Sequence, residues 1–266
     1  MKLTNTIIPI IGSDEDGEPC PVGSGILFGV GNERFLITAA HVLDENKLTT
    51  LYLPGESELV ELAGPGRQST PPKNNRLLDH LDAAYLHLSS DIVCRINKIY
   101  WFLPPQLVDM DDASVAGDHY MFTGYPHKAI VPLYGTRKIS AQLHSYTDRA
   151  CGAETYAQVN ADPVSNIVIN FDAKQAKDGN GRIVTPKERR GMSGGGVWSA
   201  SKVSQVVGLP NARLCGVAIE HKKKQKCLVA TKINFVLESI RFDFPALSHL
   251  LPVSETLDVV MKDNSI

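Results

Sequence analysis

No apolar run in this 266-residue chain approaches the roughly 20 residues of a membrane-spanning helix, so no such span is predicted. The first residues carry one lysine and then Leu-Thr-Asn-Thr-Ile-Ile-Pro-Ile-Ile. Polar side chains and Pro9 interrupt the stretch, and it lacks the h-region and cleavage site of a signal peptide. Charge is nearly balanced, at a formal −2, which gives no reason to expect bulk binding to nucleic acid or to a membrane surface. The five cysteines (Cys20, Cys94, Cys151, Cys215 and Cys227) are an odd number, and none sits in a CxxC pair. Cys215 and Cys227 could flank a hairpin, but reduced thiols in a cytoplasmic protein are the simpler expectation. His80, His87, His119, His127, His144 and His249 show no metal-ligand spacing, nor does the acidic run Asp109–Asp112, which reads as a solvated linker. No metal and no organic cofactor is expected. No internal repeat or low-complexity segment stands out.

What is present is a serine among glycines, Gly191-Met192-Ser193-Gly194-Gly195-Gly196, and a histidine far upstream in Leu36-Ile37-Thr38-Ala39-Ala40-His41-Val42. A serine hydroxyl needs an imidazole to take its proton and donors to hold the oxyanion that follows. Glycines let the chain expose both the hydroxyl and the backbone N–H. A carboxylate should orient the imidazole. Asp82 is favoured, because it opens the apolar run Ala83-Ala84-Tyr85-Leu86-His87-Leu88, where it would be partly desolvated. Asp79, in a more polar stretch, and Asp44, close behind His41, are the rivals.

These motifs resemble the chymotrypsin/trypsin-like serine peptidases of the bacterial, intracellular type. The order His41, Asp82, Ser193 is that family's order, whereas unrelated folds with the same triad use others. The spacing of 41 residues from His41 to Asp82 suits the family, and the 111 from Asp82 to Ser193 imply inserted loops. Gly23-Ser24-Gly25-Ile26-Leu27-Phe28 is similar to the strand before the histidine strand. Met121-Phe122-Thr123-Gly124-Tyr125-Pro126 is similar to the strand opening the second barrel. The resemblance implies an all-β fold of two antiparallel six-stranded β-barrels with a short C-terminal helix and the triad in the cleft between them. It also implies an oxyanion hole formed by the N–H groups of Gly191 and Ser193, and a protein or peptide substrate. Its S1 pocket would draw on Lys187, Ile219, Glu220 and His221. Lys187 would favour an acidic P1 residue and Glu220 a basic one, paired they would cancel, and equally they can be rim charges facing water. Ala218 stands where glutamate-specific members carry a histidine, so their recognition mode is not supported.

The apolar runs agree with an all-β chain. Thr6–Ile11, Ser24–Val30, Arg34–Ala39, Leu51–Leu53, Ala83–Leu88, Tyr120–Thr123, Ile167–Phe171, Gly195–Trp198, Leu214–Ile219 and Cys227–Thr231 are short, and many are bounded by turn formers. Helical periodicity is confined to Ile233–Ile240 and a turn after His41. The expected division is a first barrel in 1–100, a linker in 101–118, a second barrel in 119–245 and a tail in 246–266. The polar loop 172–190 leads into the nucleophile and is either a flexible surface loop or a control element on which an activating partner acts. The basic run His221–Lys226 reads as a hairpin tip, since no aromatic residue is interleaved for stacking on bases.

Three function classes compete. An active serine endopeptidase making limited regulatory cuts in an intracellular protein is favoured. A catalytically silent fold that binds proteins is the alternative. An α/β-class esterase matches only the letters Gly-x-Ser-x-Gly, because that elbow needs a following helix and the order Ser, Asp, His. Secreted relatives carry an aspartate before the serine, which pairs with a newly cut N-terminal amine; here that position is Met192, which cannot. The full-length chain is therefore expected to react with a serine-directed probe without N-terminal processing. A requirement for cleavage within residues 5–25 before any reaction would contradict this.

Overall fold

The computed structural model describes residues 3–112, 115–133, 138–171, 191–199, 212–255 and 257. Each of the ten apolar runs overlaps a strand. In the first half these are β1 (Ile7–Ser13), β2 (Pro19–Val30), β3 (Glu33–Ala39) and β4 (Tyr52–Pro54). Two strands not anticipated follow, β5 (Leu59–Glu61) and β6 (Gly66–Gln68), and then β7 (Ala83–His87). All seven form one antiparallel sheet in the order β5-β4-β1-β2-β3-β7-β6. The β2–β3 connection is a two-residue turn with Gly31 at φ +55°, a conformation that glycine adopts without steric cost.

The second sheet is built from β8 (His119–Gly124), β11 (His144–Arg149), β12 (Asn166–Asn170), β13 (Gly196–Ser199), β14 (Arg213–Lys222) and β15 (Cys227–Lys232). Its order is β11-β8-β13-β14-β15-β12, and a bridge between Ala150 and Ile169 brings its two edges together. A separate pair, β9 (Ile130–Leu133) and β10 (Lys138–Ala141), lies against β2 of the first sheet. The expectation of two closed six-stranded barrels needs correcting for the first sheet. It has seven strands, and its edges β5 and β6 are not hydrogen-bonded to each other. The link between them contains Pro65, which has no N–H to extend a ladder.

Four α-helices occur among the described residues: α1 (Ala40–Asp44), α2 (Ser90–Ile96), α3 (Ala153–Val159) and α4 (Ile233–Asp243). α4 buries Ile233, Val236, Leu237 and Ile240, the i, i+3, i+4, i+7 stripe that its sequence displays. α2 and α3 were not anticipated. At seven residues each they bury only Ile92 with Ile96, and Tyr156 with Val159, too short a pattern to stand out as periodic.

One apolar cluster joins the two sheets and α4. It includes Ile26, Phe28, Ile37 and Tyr85 from the first sheet, Met121, Trp198, Leu214 and Val217 from the second, and Ile233 and Leu237 from the helix. Segment 101–112 runs between the sheets. Leu103 exchanges backbone hydrogen bonds with Leu27 and Gly29, and the N–H of Asp109 donates to the Leu214 carbonyl. Contrary to a solvated linker, Leu103, Val108 and Met110 are buried, and burial together with Asp112 pushes the Asp109 carboxyl above its usual range. α4 is tied to the first sheet at its last residue, Asp243, which accepts hydrogen bonds from Arg67 on β6 and from the Tyr85 hydroxyl on β7. The chain after α4 folds back over it, with Arg241 donating to the carbonyls of Ser248 and Pro252. No described helix is long and apolar enough to cross a membrane.

Trp198 is fully buried at the junction of the sheets, with its indole N–H 2.8 Å from Thr123 Oγ1. Replacing it by alanine is expected to cost about 3–5 kcal/mol, read as a lower urea midpoint at unchanged slope.

Candidate active site

Strand register delivers the histidine and the aspartate to one place. Ala39 at the end of β3 pairs with Ala83 at the start of β7, so the residues just beyond each strand meet at the same edge. The Ala40 N–H donates to the Asp82 carbonyl at 2.9 Å. One Asp82 carboxylate oxygen accepts from the His41 backbone N–H at 2.8 Å, and the other lies 2.5 Å from His41 Nδ1. Both oxygens are thus committed to one residue, which fixes ring position and leaves Nε2 as the outward nitrogen. Asp82 is 7% exposed, and its backbone is left-handed, with φ +37°. A non-glycine residue held there is strained.

The rival carboxylates are engaged elsewhere. Asp44 pairs with Lys47 and Arg76. Asp79 accepts from Ser69 Oγ and Arg76 Nη1, each at 2.5 Å. Burial works to raise the Asp44 carboxyl, but the two cations overcome it and hold it at about 2. For Asp79, burial is likewise outweighed, by hydrogen bonds from Ser69, the loop backbone and Arg76, and its carboxyl is held below the usual range.

Ser193 lies in the tight turn before β13. Gly191 and Gly194 flank it at φ +93° and +84°, which strongly favours glycine at both positions. Gly194 has a second constraint: a Cβ there would lie 2.0 Å from the Ser24 carbonyl oxygen and 2.1 Å from Thr38 Oγ1. The turn docks on the second sheet through Gly194 N–H to Ala218 O (2.7 Å) and Ala218 N–H to Gly195 O (2.9 Å). It docks on the first sheet through Ser24 of β2. The Ser24 hydroxyl donates to the Gly191 carbonyl and accepts from the Tyr125 N–H, both at 2.9 Å, while its N–H donates to the Ser193 carbonyl at 2.8 Å. Thr38 Oγ1, three residues before His41, donates to the Ser24 carbonyl at 2.7 Å. Ser24 is fully buried.

The Ser193 hydroxyl donates to the Ile219 carbonyl at 3.3 Å and is not hydrogen-bonded to His41. Ile219 sits at a register shift between Ala218 and Glu220 in β14. Such a bulge turns a backbone group out of the ladder, and bulges recur beside active sites. Neither the Gly191 N–H nor the Ser193 N–H has an acceptor among the described residues. These are the two donors expected to face an oxyanion.

This architecture matches solved structures over most of the chain. Human heparin binding protein is similar with a TM-score of 0.51 at 13% identity, over 88% of this chain and 90% of that one. Neuropsin, a serine protease expressed in the limbic system of mouse brain, gives 0.51 at 15%, over 91% and 95%. The VesB protease of Vibrio cholerae gives 0.50 at 14%, over 89% of this chain and 63% of that one. The fold is chymotrypsin-like. No protein-family model and no curated protein matches the sequence.

In this chymotrypsin-like frame the remaining expected residues divide. Ile219 is buried in the core and presents its carbonyl to Ser193. Glu220 is exposed and pairs with Lys222 at 2.6 Å. His221 packs edge-on against Phe171 with ring centroids 5.6 Å apart. Lys187 and the whole 172–190 loop lie outside the described residues. Met192 is buried in an apolar cluster with Tyr120, Phe122 and Phe171, an environment that suits a thioether and not a carboxylate. Cys94, Cys151, Cys215 and Cys227 are free thiols; burial pushes Cys215 well up and Cys227 to about 12, which makes both poor nucleophiles. No cluster of metal-ligating side chains occurs among the described residues.

Sequence reasoning missed the part played by Ser24. Its signal was a small polar residue between two glycines inside an apolar strand, a place where another backbone approaches closely. Ser24→Ala leaves the Gly191 carbonyl and the Tyr125 N–H without their partner. It is expected to cost about 1–3 kcal/mol in urea unfolding and to slow reaction of Ser193 with a serine-directed probe. Gly194→Ala, whose methyl group meets fixed backbone, is expected to abolish that reaction.

Proposed function

We propose that the chain is a serine endopeptidase that uses His41, Asp82 and Ser193. The observation that carries the reading is the two-point grip of Asp82 on His41 through its backbone N–H and Nδ1. A carboxylate that only neutralised charge would not need both contacts, whereas one that sets an imidazole for proton transfer does.

In the proposed reaction the Ser193 hydroxyl leaves the Ile219 carbonyl and turns to His41 Nε2. As Ser193 Oγ forms a bond to the peptide carbonyl carbon, its proton passes to Nε2 and the carbonyl π pair moves onto oxygen. The Gly191 and Ser193 N–H groups hold that oxyanion; one such donor contributes on the order of 3 kcal/mol. Collapse re-forms the carbonyl and breaks the C–N bond, and the Nε2 proton goes to the leaving amine. Water then repeats the sequence on the acyl-enzyme, giving a carboxylic acid and free Ser193. No step calls for a metal or an organic cofactor.

The substrate is a protein or peptide, and limited cuts in an intracellular protein suit a chain that offers Met192 in place of an activating aspartate. Buried free thiols support residence in the reducing cytoplasm. A partner acting on the 172–190 loop is the proposed route of control.

One observation favours a second reading, a silent fold that binds proteins: the Ser193 hydroxyl is bonded to a carbonyl instead of to His41. Treating the purified chain with a fluorophosphonate probe separates the two. An active triad labels, and Ser193→Ala and His41→Ala each lower labelling by about a thousandfold or more. A folded protein that never labels belongs to the silent reading.

A further inference from the structure

We infer that Arg76 is a positioning residue that locks the His41 and Asp82 elements into one unit; its effect on rate, though not its contacts, rests on the peptidase reading above. Arg76 belongs to the loop between β6 and β7, six residues before Asp82. Its guanidinium reaches two carboxylates on different elements. Nε donates to Asp44 Oδ2 at 2.8 Å, and Asp44 ends α1, the short helix that carries His41. Nη1 donates to Asp79 Oδ2 at 2.5 Å and to the Ser69 carbonyl at 2.8 Å. Asp79 lies three residues before Asp82, and its other oxygen accepts from the Leu81 N–H at 3.1 Å. Ser69 completes the circuit: its hydroxyl donates to Asp79 and accepts from the Ala83 N–H at 3.2 Å, while its N–H donates to the Ala83 carbonyl at 2.9 Å.

The arrangement is a bracket around the catalytic pair, with each arm of the fork fastened within three residues of His41 or Asp82. Bridging two carboxylates on separate elements at defined angles suits a planar guanidinium, whose separate nitrogens have fixed directions that a lysine ammonium lacks. Arg76 and Asp79 side chains are only 16% and 4% exposed, so water screens the pair weakly. Lys47 and Gln68 are the other polar groups facing Asp44, and both are more peripheral: the Lys47 side chain is 74% exposed, and Gln68 lies 3.4 Å away. The far side of the Asp82 loop is held by the second sheet, where Thr231 Oγ1 donates to the Leu81 carbonyl and Asn166 Nδ2 to the His80 carbonyl. The loop is therefore pinned from both sheets, and Arg76 supplies the connection to the histidine. The left-handed backbone of Asp82 explains why a bracket is needed, since a strained residue persists only where its surroundings over-determine it.

The test measures fluorophosphonate inactivation of the full-length chain, resolved into the maximal rate and the half-saturating probe concentration, with the downfield imidazole N–H proton signal of His41 and thermal unfolding on the same samples. Arg76→Gln is expected to lower the maximal rate about ten- to a hundredfold, with little change in half-saturation, and to weaken or abolish the proton signal. Arg76→Lys should recover thermal stability without recovering the rate. Asp44→Asn should give a smaller loss, and combining it with Arg76→Gln should add nothing, because both changes break one bridge. Arg95→Gln removes ion pairs with Glu58 and Asp91, neither of which touches this circuit, and should leave rate and signal unchanged. If Arg76→Gln does not fold, Asp44→Asn alone carries the test. A wild-type rate and an intact proton signal in Arg76→Gln, or a full rate in Arg76→Lys, overturns the inference. A wild-type chain that never labels sinks the peptidase reading instead, and the proton signal then decides the Arg76 bracket by itself: lost in Arg76→Gln it stands, retained it falls.

Discussion

A single buried hydroxyl sets the relation between the two sheets at the place where chemistry would occur. Ser24 gives its proton to the carbonyl of Gly191 and takes one from the N–H of Tyr125, while its own backbone grips Ser193 and Thr38. A hydroxyl in so dry a position is costly unless satisfied, and here satisfaction requires two remote segments, at Tyr125 and Gly191, to be in register at once. The Ser193 turn belongs to the second sheet and His41 to the first, and each is braced by its own strands. The Ser24 contacts bear directly on the Ser193 turn and, with the bonds from Thr231 and Asn166 to the Asp82 loop, fix the separation of the two placements.

The glycines around Ser193 follow from that closeness. Gly194 packs directly on the Ser24 carbonyl and Thr38, and Gly195 packs on the Thr123 carbonyl, where a Cβ would lie 2.0 Å away. The turn is wedged between both sheets with no room for a side chain on either flank. The same crowding brings β14 against it, and the bulge at Ile219 places a carbonyl within reach of the Ser193 hydroxyl. Ser193, the free N–H groups of Gly191 and Ser193, and the bulge form one packed unit, so a change at any of them alters the others.

Much of this was legible in the sequence, for definable reasons. Long buried strands such as Ser24–Val30 and Leu214–Ile219 announce themselves by continuous apolar residues, and α4 by its i, i+3, i+4, i+7 stripe. The short strands β5 and β6 and the partly polar β11 do not, because three residues, or alternation with Asp148 and Arg149, carry too little apolar signal. α2 and α3 lack a third turn to establish a period. Asp82 could be favoured over Asp79 and Asp44 from its place at the mouth of an apolar run. What became of the two rivals was invisible, since it depends on Arg76 reaching both, and a salt bridge between loops has no sequence period. The sequence shows Ser24 only as part of a strand, because its four contacts lie up to 169 residues away in the chain. The open seam between β5 and β6 likewise turns on Pro65, a residue that marks a loop without saying which ladder it interrupts.

The left-handed backbone of Asp82 has an evolutionary corollary. At φ +37° only aspartate, asparagine and glycine are readily tolerated; other residues add about 1–2 kcal/mol of steric cost on top of the lost carboxylate. Most single codon changes there would harm folding and also remove the carboxylate that holds His41. A lineage could not easily shed this carboxylate and keep the scaffold for another use, except through the narrow door of asparagine or glycine. His41 is under no such backbone constraint, since it lies in ordinary helix and its replacement asks nothing of the chain's conformation.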